Sequence, residues 1–134
     1  MESVWRNRLY DNRFVASVSG GYRPNNRWDL AARWLLAGGK GATEWKVWTW
    51  EGGGAANPDW DNWMQSHLPA YHTLGLRIDR HVYFRRASLS AYLAVWNVYG
   101  RKNVRYYYWN AQQYELRAAY QWGTIPYFGV AVDF

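Results

Sequence analysis

The sequence predicts an all-β fold: an antiparallel transmembrane β-barrel, either a small barrel or part of one closed by oligomerisation or a partner. Three observations carry that expectation. Apolar residues recur with a period of two, short connections alternate with long ones, and Trp and Tyr are heavily over-used. Successive side chains of a strand point to opposite faces, so a period of two marks a strand with two unlike faces. In an outer-membrane barrel one face meets lipid and the other the interior, with short periplasmic turns and long extracellular loops.

Taken in chain order, Phe14, Ala16, Val18, Gly20 and Tyr22 share one face, with Val15, Ser17, Ser19, Gly21 and Arg23 opposite; a strand is predicted over residues 13–23. Pro24-Asn25-Asn26 reads as a tight turn. Trp28, Leu30, Ala32, Trp34 and Leu36 then form an apolar face backed by Asp29, Ala31, Arg33 and Leu35, a strand over 27–37. A long extracellular loop is expected over 38–67. Its Gly38-Gly39-Lys40-Gly41 and Gly52-Gly53-Gly54 runs lack the spacing and following helix of a phosphate-binding loop. Leu74, Leu76 and Ile78 alternate with Thr73, Gly75, Arg77 and Asp79 in a strand over 70–80. After a short turn around 81–86, Leu89, Ala91, Leu93 and Val95 alternate with Ser88, Ser90, Tyr92, Ala94 and Trp96 over 87–98. A second long loop is expected over 100–125. Phe128, Val130, Val132 and Phe134 form the apolar side of a last strand, 126–134. The same parity continues back through Trp122, Tyr120, Ala118 and Leu116 to Tyr114, so this segment is expected to project beyond the membrane. Pro126 cannot donate to a ladder and suits that boundary. Further strands are expected at 3–10 and 43–51. The five principal ones run about ten residues, near the roughly 9–11 that a tilted membrane strand needs.

Composition agrees. Among 134 residues there are 11 Trp and 12 Tyr, side chains suited to a site apolar at one end and wet at the other, as at the headgroup level of a bilayer. No run approaches the roughly 18 consecutive apolar residues of a membrane helix, and mean hydropathy is −0.55; a barrel strand escapes that test because only alternate residues meet lipid. There is no cysteine, hence no disulfide or thiolate chemistry. Met1-Glu2-Ser3-Val4-Trp5-Arg6 has no basic-then-apolar run, so no signal peptide is predicted in this sequence. The net charge of +6 suits an acidic partner or a lipopolysaccharide surface.

Several stretches resemble the last strands of TonB-dependent outer-membrane receptors. They are Tyr10-Asp11-Asn12-Arg13-Phe14 with Tyr22-Arg23-Pro24-Asn25-Asn26-Arg27-Trp28, the strand from Leu68-Pro69-Ala70-Tyr71-His72 to Asp79, Leu93-Ala94-Val95-Trp96-Asn97-Val98-Tyr99-Gly100-Arg101-Lys102-Asn103, and Ile125-Pro126-Tyr127 to Phe134. They lie in order over most of residues 10–134. The resemblance implies localisation in the cell outer membrane and insertion by its assembly machinery, for which Phe128, Val130, Val132 and Phe134 match the terminal signal. It also implies solute uptake by full-length members, which needs a plug and an energy-coupling box that this sequence does not contain. Gly75, Ala94 and Trp96 stand where the family usually has polar residues facing the lumen, so the interior is expected to be packed or covered by another protein.

Expected partners are the lipid bilayer, the assembly machinery, and other copies of the chain or another barrel protein, because a sheet with free edges cannot sit in hydrocarbon. Arg33, Arg77, Asp79 and Arg117 are expected to face the lumen and to pair with one another. Trp45, Trp48, Trp50, Trp60 and Trp63 gather in the first long loop, as a binding platform for sugars or a partner, or as interfacial anchors. No catalytic residues, metal site or cofactor are expected: His67, His72 and His81 lack ligand spacing, Asn57-Pro58-Asp59-Trp60-Asp61-Asn62 reads as an Asx-rich turn before a calcium loop, and nothing sets Glu44 and Glu51 face to face. The rival functions are a water-soluble carbohydrate-binding β-module and a single-stranded nucleic-acid binder using Arg105-Tyr106-Tyr107-Tyr108-Trp109; no nucleic acid is expected on the favoured reading.

Overall fold

The computed structural model describes residues 6–134. Part of the expected strand at 3–10 lies outside the described residues, and residues 6–10 form no strand. Of the described residues 63% are in strands and none is in an α-helix, so the chain is all-β, with antiparallel sheets. In order the strands are β1 (Val15–Asn25), β2 (Trp28–Ala37), β3 (Gly41–Ala42), β4 (Trp45–Trp50), β5 (Gly53–Pro58), β6 (Ser66–His67), β7 (Tyr71–Tyr83), β8 (Ser88–Trp96), β9 (Val104–Asn110), β10 (Glu115–Tyr120) and β11 (Ile125–Asp133).

The five segments expected to cross the membrane are β1, β2, β7, β8 and β11, with ends moved by three residues or fewer, and they make one sheet in the order β1-β2-β7-β8-β11. This sheet falls in one compact unit (Ala16–Leu36, His72–Arg101, Trp122–Phe134). Two short turns close one end, at residues 26–27 and 84–87. In the first, the Arg27 amide donates to Asn25 Oδ1 at 2.9 Å; in the second, the Phe84 amide donates to the Ala87 carbonyl at 2.8 Å. The turn expected at Pro24 comes two residues later because Pro24 stays within β1. That strand is a sheet edge, where a residue without an N–H is tolerated.

The other compact unit is built from the segments up to Val15, Ala37–Tyr71 and Lys102–Gln121. Both expected loops therefore carry their own pairing: β3 with β6, and the hairpins β4–β5 and β9–β10. The expected strand at 43–51 is β4, whose partner is β5 and not the five-stranded sheet. The long alternation from Tyr114 to Phe134 is likewise two elements. Tyr114 sits at φ 51°, β10 pairs with β9, and residues 121–124 are not strand before β11 joins β8. Parity carried across that break by coincidence of spacing.

A single sheet layer has no core of its own. Among the described residues only Ala37 and Ala94 are buried apolar side chains, while Thr73, Asn97 and Asn103 are buried polar ones. The chain exposes 10392 Å², against about 7,400 Å² for a folded water-soluble monomer of its 15.9 kDa. Among the described residues no closed barrel forms: β1 and β11 are edges.

Candidate functional site

The strand registers align the faces. On the apolar side Leu76 stands opposite Val95, Ile78 opposite Leu93 and then Phe128, Arg80 opposite Ala91 and Val130, and Val82 opposite Leu89 and Val132. Residues directly opposite in a ladder share a face, so these rows run continuously from β7 to β11. They are uncovered: Phe128 is 80% exposed, Val130 65%, Leu93 53% and Leu76 43%. Of the expected assembly-signal residues, Phe128, Val130 and Val132 lie in this face, and Phe134 follows the strand fully exposed.

Aromatic residues bracket the face along β2. Trp28 and Trp34 are six residues apart on one parity, about 20 Å, with Leu30 and Ala32 between them. The Arg80 guanidinium, the one charge in these four rows, lies 4.5 Å from the centroid of the Trp28 ring, which shields it near the short-turn end. At the other end Trp34 tilts against His72 at 6.4 Å, and His72 Nδ1 is 2.6 Å from the Tyr99 hydroxyl.

The opposite face is polar, and its charges are matched across strands. Asp29 on β2 takes both Arg23 of β1, with Nη2 at 2.8 Å, and His81 of β7, whose Nε2 is 3.1 Å away. His81 Nδ1 in turn lies 2.9 Å from Ser90 Oγ on β8. Arg77 donates to Asp79 on its own strand at 2.8 and 2.6 Å and covers the Tyr92 ring at 4.0 Å, and Tyr92 meets Tyr127 edge-on at 6.2 Å. Gly129, beside Tyr92 in the register, leaves room for that ring; a Cβ there would come within 2.5 Å of Tyr92 Cε1. Around Arg33 the face is hollow. Ser19, Gly21, Ala31 and Gly75 floor a cavity of about 650 Å³ walled by Arg33, Arg77, Trp96 and Tyr127.

Of the four residues expected to face inward and pair together, Arg77 and Asp79 pair with each other, and Arg33 shares their face and, among the described residues, makes no ion pair. Arg117 is elsewhere, in β10, and pairs with Glu115 two residues before it. Its parity matched, but its strand pairs with β9 in the other compact unit and is not a member of the five-stranded sheet. The Arg23–Asp29–His81–Ser90 line was not anticipated. Asp29 and His81 are 52 residues apart, and only the pairing of β2 with β7 brings them together.

In the loop unit the hairpin β4–β5 turns at Glu51-Gly52, where Gly52 takes φ 76°. Trp48 and Trp50 project on one face opposite Ala55 and Gly53, small residues that leave the rings 50% and 60% exposed. Trp45 lies on the other parity and is only half-buried. Lys46, on the Trp48 face, reaches Asp59 at 2.8 Å and Asp61 at 3.4 Å. Asp59 also accepts from Asn62 Nδ2 at 2.9 Å, and the Lys46 and Asn62 contacts hold its carboxyl below the usual aspartate range. The Asx-rich segment is thus occupied by Lys46 and by a 3₁₀ turn over Trp60–Asn62. Trp60 and Trp63 are exposed beside it, 65% and 45%. The run from Arg105 to Trp109 is strand β9, which divides its side chains between two faces and does not offer them as one stack. His67 meets Arg13 Nε at 3.2 Å.

No family model matches the chain, and neither curated proteins nor solved structures give a match to it.

Proposed function

We propose that the five-stranded sheet is a stretch of wall of an outer-membrane β-barrel, related to the C-terminal strands of TonB-dependent receptors, with its apolar face against lipid and its polar face inward. The observation that carries this reading is the set of uncovered apolar rows shared by β7, β8 and β11 and bracketed by aromatic residues on β2. Leaving such a face to water costs about 25 cal/mol per Å², whereas lipid removes that cost. The dimensions agree: β11 has nine residues, about 30 Å at ~3.3 Å each, or about 23 Å when tilted by roughly 40°, close to the ~25 Å apolar band of such barrels. The polar face fits an interior in which Asp29, His81 and Ser90 form one hydrogen-bonded line and Arg77 pairs with Asp79, beside an open cavity at Arg33. Its role is a structural wall or pore scaffold inserted by the outer-membrane assembly machinery, with Phe128, Val130, Val132 and Phe134 as the residues that machinery reads. Independent solute transport is not part of the reading, and neither is catalysis.

The test is refolding with and without detergent, followed by electrophoresis of unheated and heated samples. Heat-modifiable migration that requires detergent supports the wall; sharp folding in plain buffer contradicts it.

The exposed Trp48 and Trp50 favour a second reading, a water-soluble carbohydrate-binding β-module. Quenching of tryptophan emission by oligosaccharides in detergent-free buffer, lost in Trp48→Ala, is its signature.

A further inference from the structure

We infer that the free edges of β1 and β11 are the two sides of a single gap, which takes an odd number of polypeptide strands running antiparallel to both. The inference rests on the barrel-wall reading and adds what must complete the wall. It follows from strand sense. β8 runs antiparallel to β7 and to β11, and the alternation continues across β2 to β1. With five strands in the order β1-β2-β7-β8-β11, the two edge strands run the same way: β1 and β11 both end at the level of the short turns.

That parity denies the simplest completion the antiparallel seams by which bacterial single-chain barrels close. Copies of the sheet inserted with their loops on one side of a membrane present β11 to the β1 of a neighbour in the same sense, so every seam between copies is parallel. An antiparallel seam between copies, β11 with β11 or β1 with β1, needs one copy turned over, which puts its loops on the opposite side. In hydrocarbon an unpaired edge costs several kcal/mol for each backbone group, so the edges cannot be left open either. The complement is therefore a β-segment with an odd strand count, whose two outer strands both run from the short-turn end toward the loop end, each with alternate apolar residues toward lipid. Reaching the smallest bacterial barrel, about eight strands, takes three.

The sheet itself contains such a complement, because β2, β7 and β8 are three consecutive strands whose outer members have the required sense. Two fusions of the whole chain test the inference. One carries a copy of residues 28–96 ahead of residue 6 through a flexible linker, adding β2, β7 and β8. The other carries residues 71–96, adding β7 and β8 alone. Eight strands alternate all the way round, whereas seven leave β11 beside a strand of its own sense. Hydrogen–deuterium exchange in detergent micelles is read on β1 and β11, with native mass measurement for oligomeric state. The unfused chain is expected to protect β2, β7 and β8 and to leave the outer edges of β1 and β11 in fast exchange. The eight-strand fusion is expected to be monomeric, with those edges slowed roughly tenfold or more relative to the seven-strand one. Equal edge protection in the two fusions, high or low, overturns the inference, as does an unfused chain that protects both edges by assembling with itself. A sheet that forms in plain buffer and not in micelles defeats the wall reading instead, and this inference with it.

Discussion

Gly129 and its neighbour Val130 show how much one position on β11 decides. The Tyr92 ring occupies the space above Gly129, on the polar face, and a Cβ would meet it at 2.5 Å. Gly129→Val is therefore expected to destabilise the detergent-folded protein by about 1–3 kcal/mol through overpacking, read as a lowered denaturant midpoint. Val130 points the other way and is 65% exposed. If that exposure is to lipid, Val130→Arg costs about 2–4 kcal/mol near the bilayer midplane. If it is to water, the same change stays within about 0.5 kcal/mol. Unfolding in lipid vesicles separates the two. Across the sheet, Asp29 accepts from both Arg23 and His81, so Asp29→Ala leaves two donors facing one another. Because solvent screens these exposed groups, only a small loss of stability is expected, and Asp29→Ala combined with His81→Ala should cost less than the sum of the two.

Among the elements, the hairpin β4–β5 is tied by Lys46 to Asp59 and Asp61 in the segment that follows it. Lys46 and Asn62 stabilise ionised Asp59, so its folded-state pKa lies below the unfolded one. The stability this pair supplies is fully present above the ordinary aspartate value of about 3.9 and is lost as pH falls through the lower folded-state value. Tryptophan emission from this hairpin is expected to stay constant from neutral pH to about 5 and to change only below about 4. In Asp59→Asn that acid transition should disappear; an unchanged transition would show that another group governs it. The elements are also where sequence and structure part. β1, β2, β7, β8 and β11 were legible because each alternates apolar and polar residues against unlike surroundings. The hairpin β9–β10 was not, because Leu116, Ala118 and Tyr120 keep the parity of Phe128 to Phe134 through the non-strand residues 121–124. β4 was legible as a strand, but its partner was not, since Gly53-Gly54-Ala55 carries no strand propensity and forms β5 through the turn at Gly52.

At the scale of the whole molecule, the scarcity of buried apolar side chains among the described residues and the excess of exposed area have one physical resolution on the wall reading: lipid covers one face, and a complement pairs the two edges. The apolar rows were readable from parity alone, strand by strand. The matched polar face was not, because Asp29–His81 and His81–Ser90 depend on which strands are neighbours. Nor was the common sense of the two edge strands, which exists only once the order β1-β2-β7-β8-β11 is known. Arg117 illustrates the same limit, sharing a parity with Arg77 without sharing its sheet.

The central claim is that alternate residues of these strands touch hydrocarbon, and β11 tests it most directly. The chain has no cysteine, so single-cysteine variants at positions 127 to 133 can each carry one environment-sensitive fluorophore in lipid vesicles with lipid-attached quenchers. The wall reading predicts a period of two: blue-shifted, strongly quenched probes at 128, 130 and 132, and unquenched probes at 127, 129, 131 and 133. Quenching that is uniform along the strand, or absent at 128, 130 and 132, would contradict it.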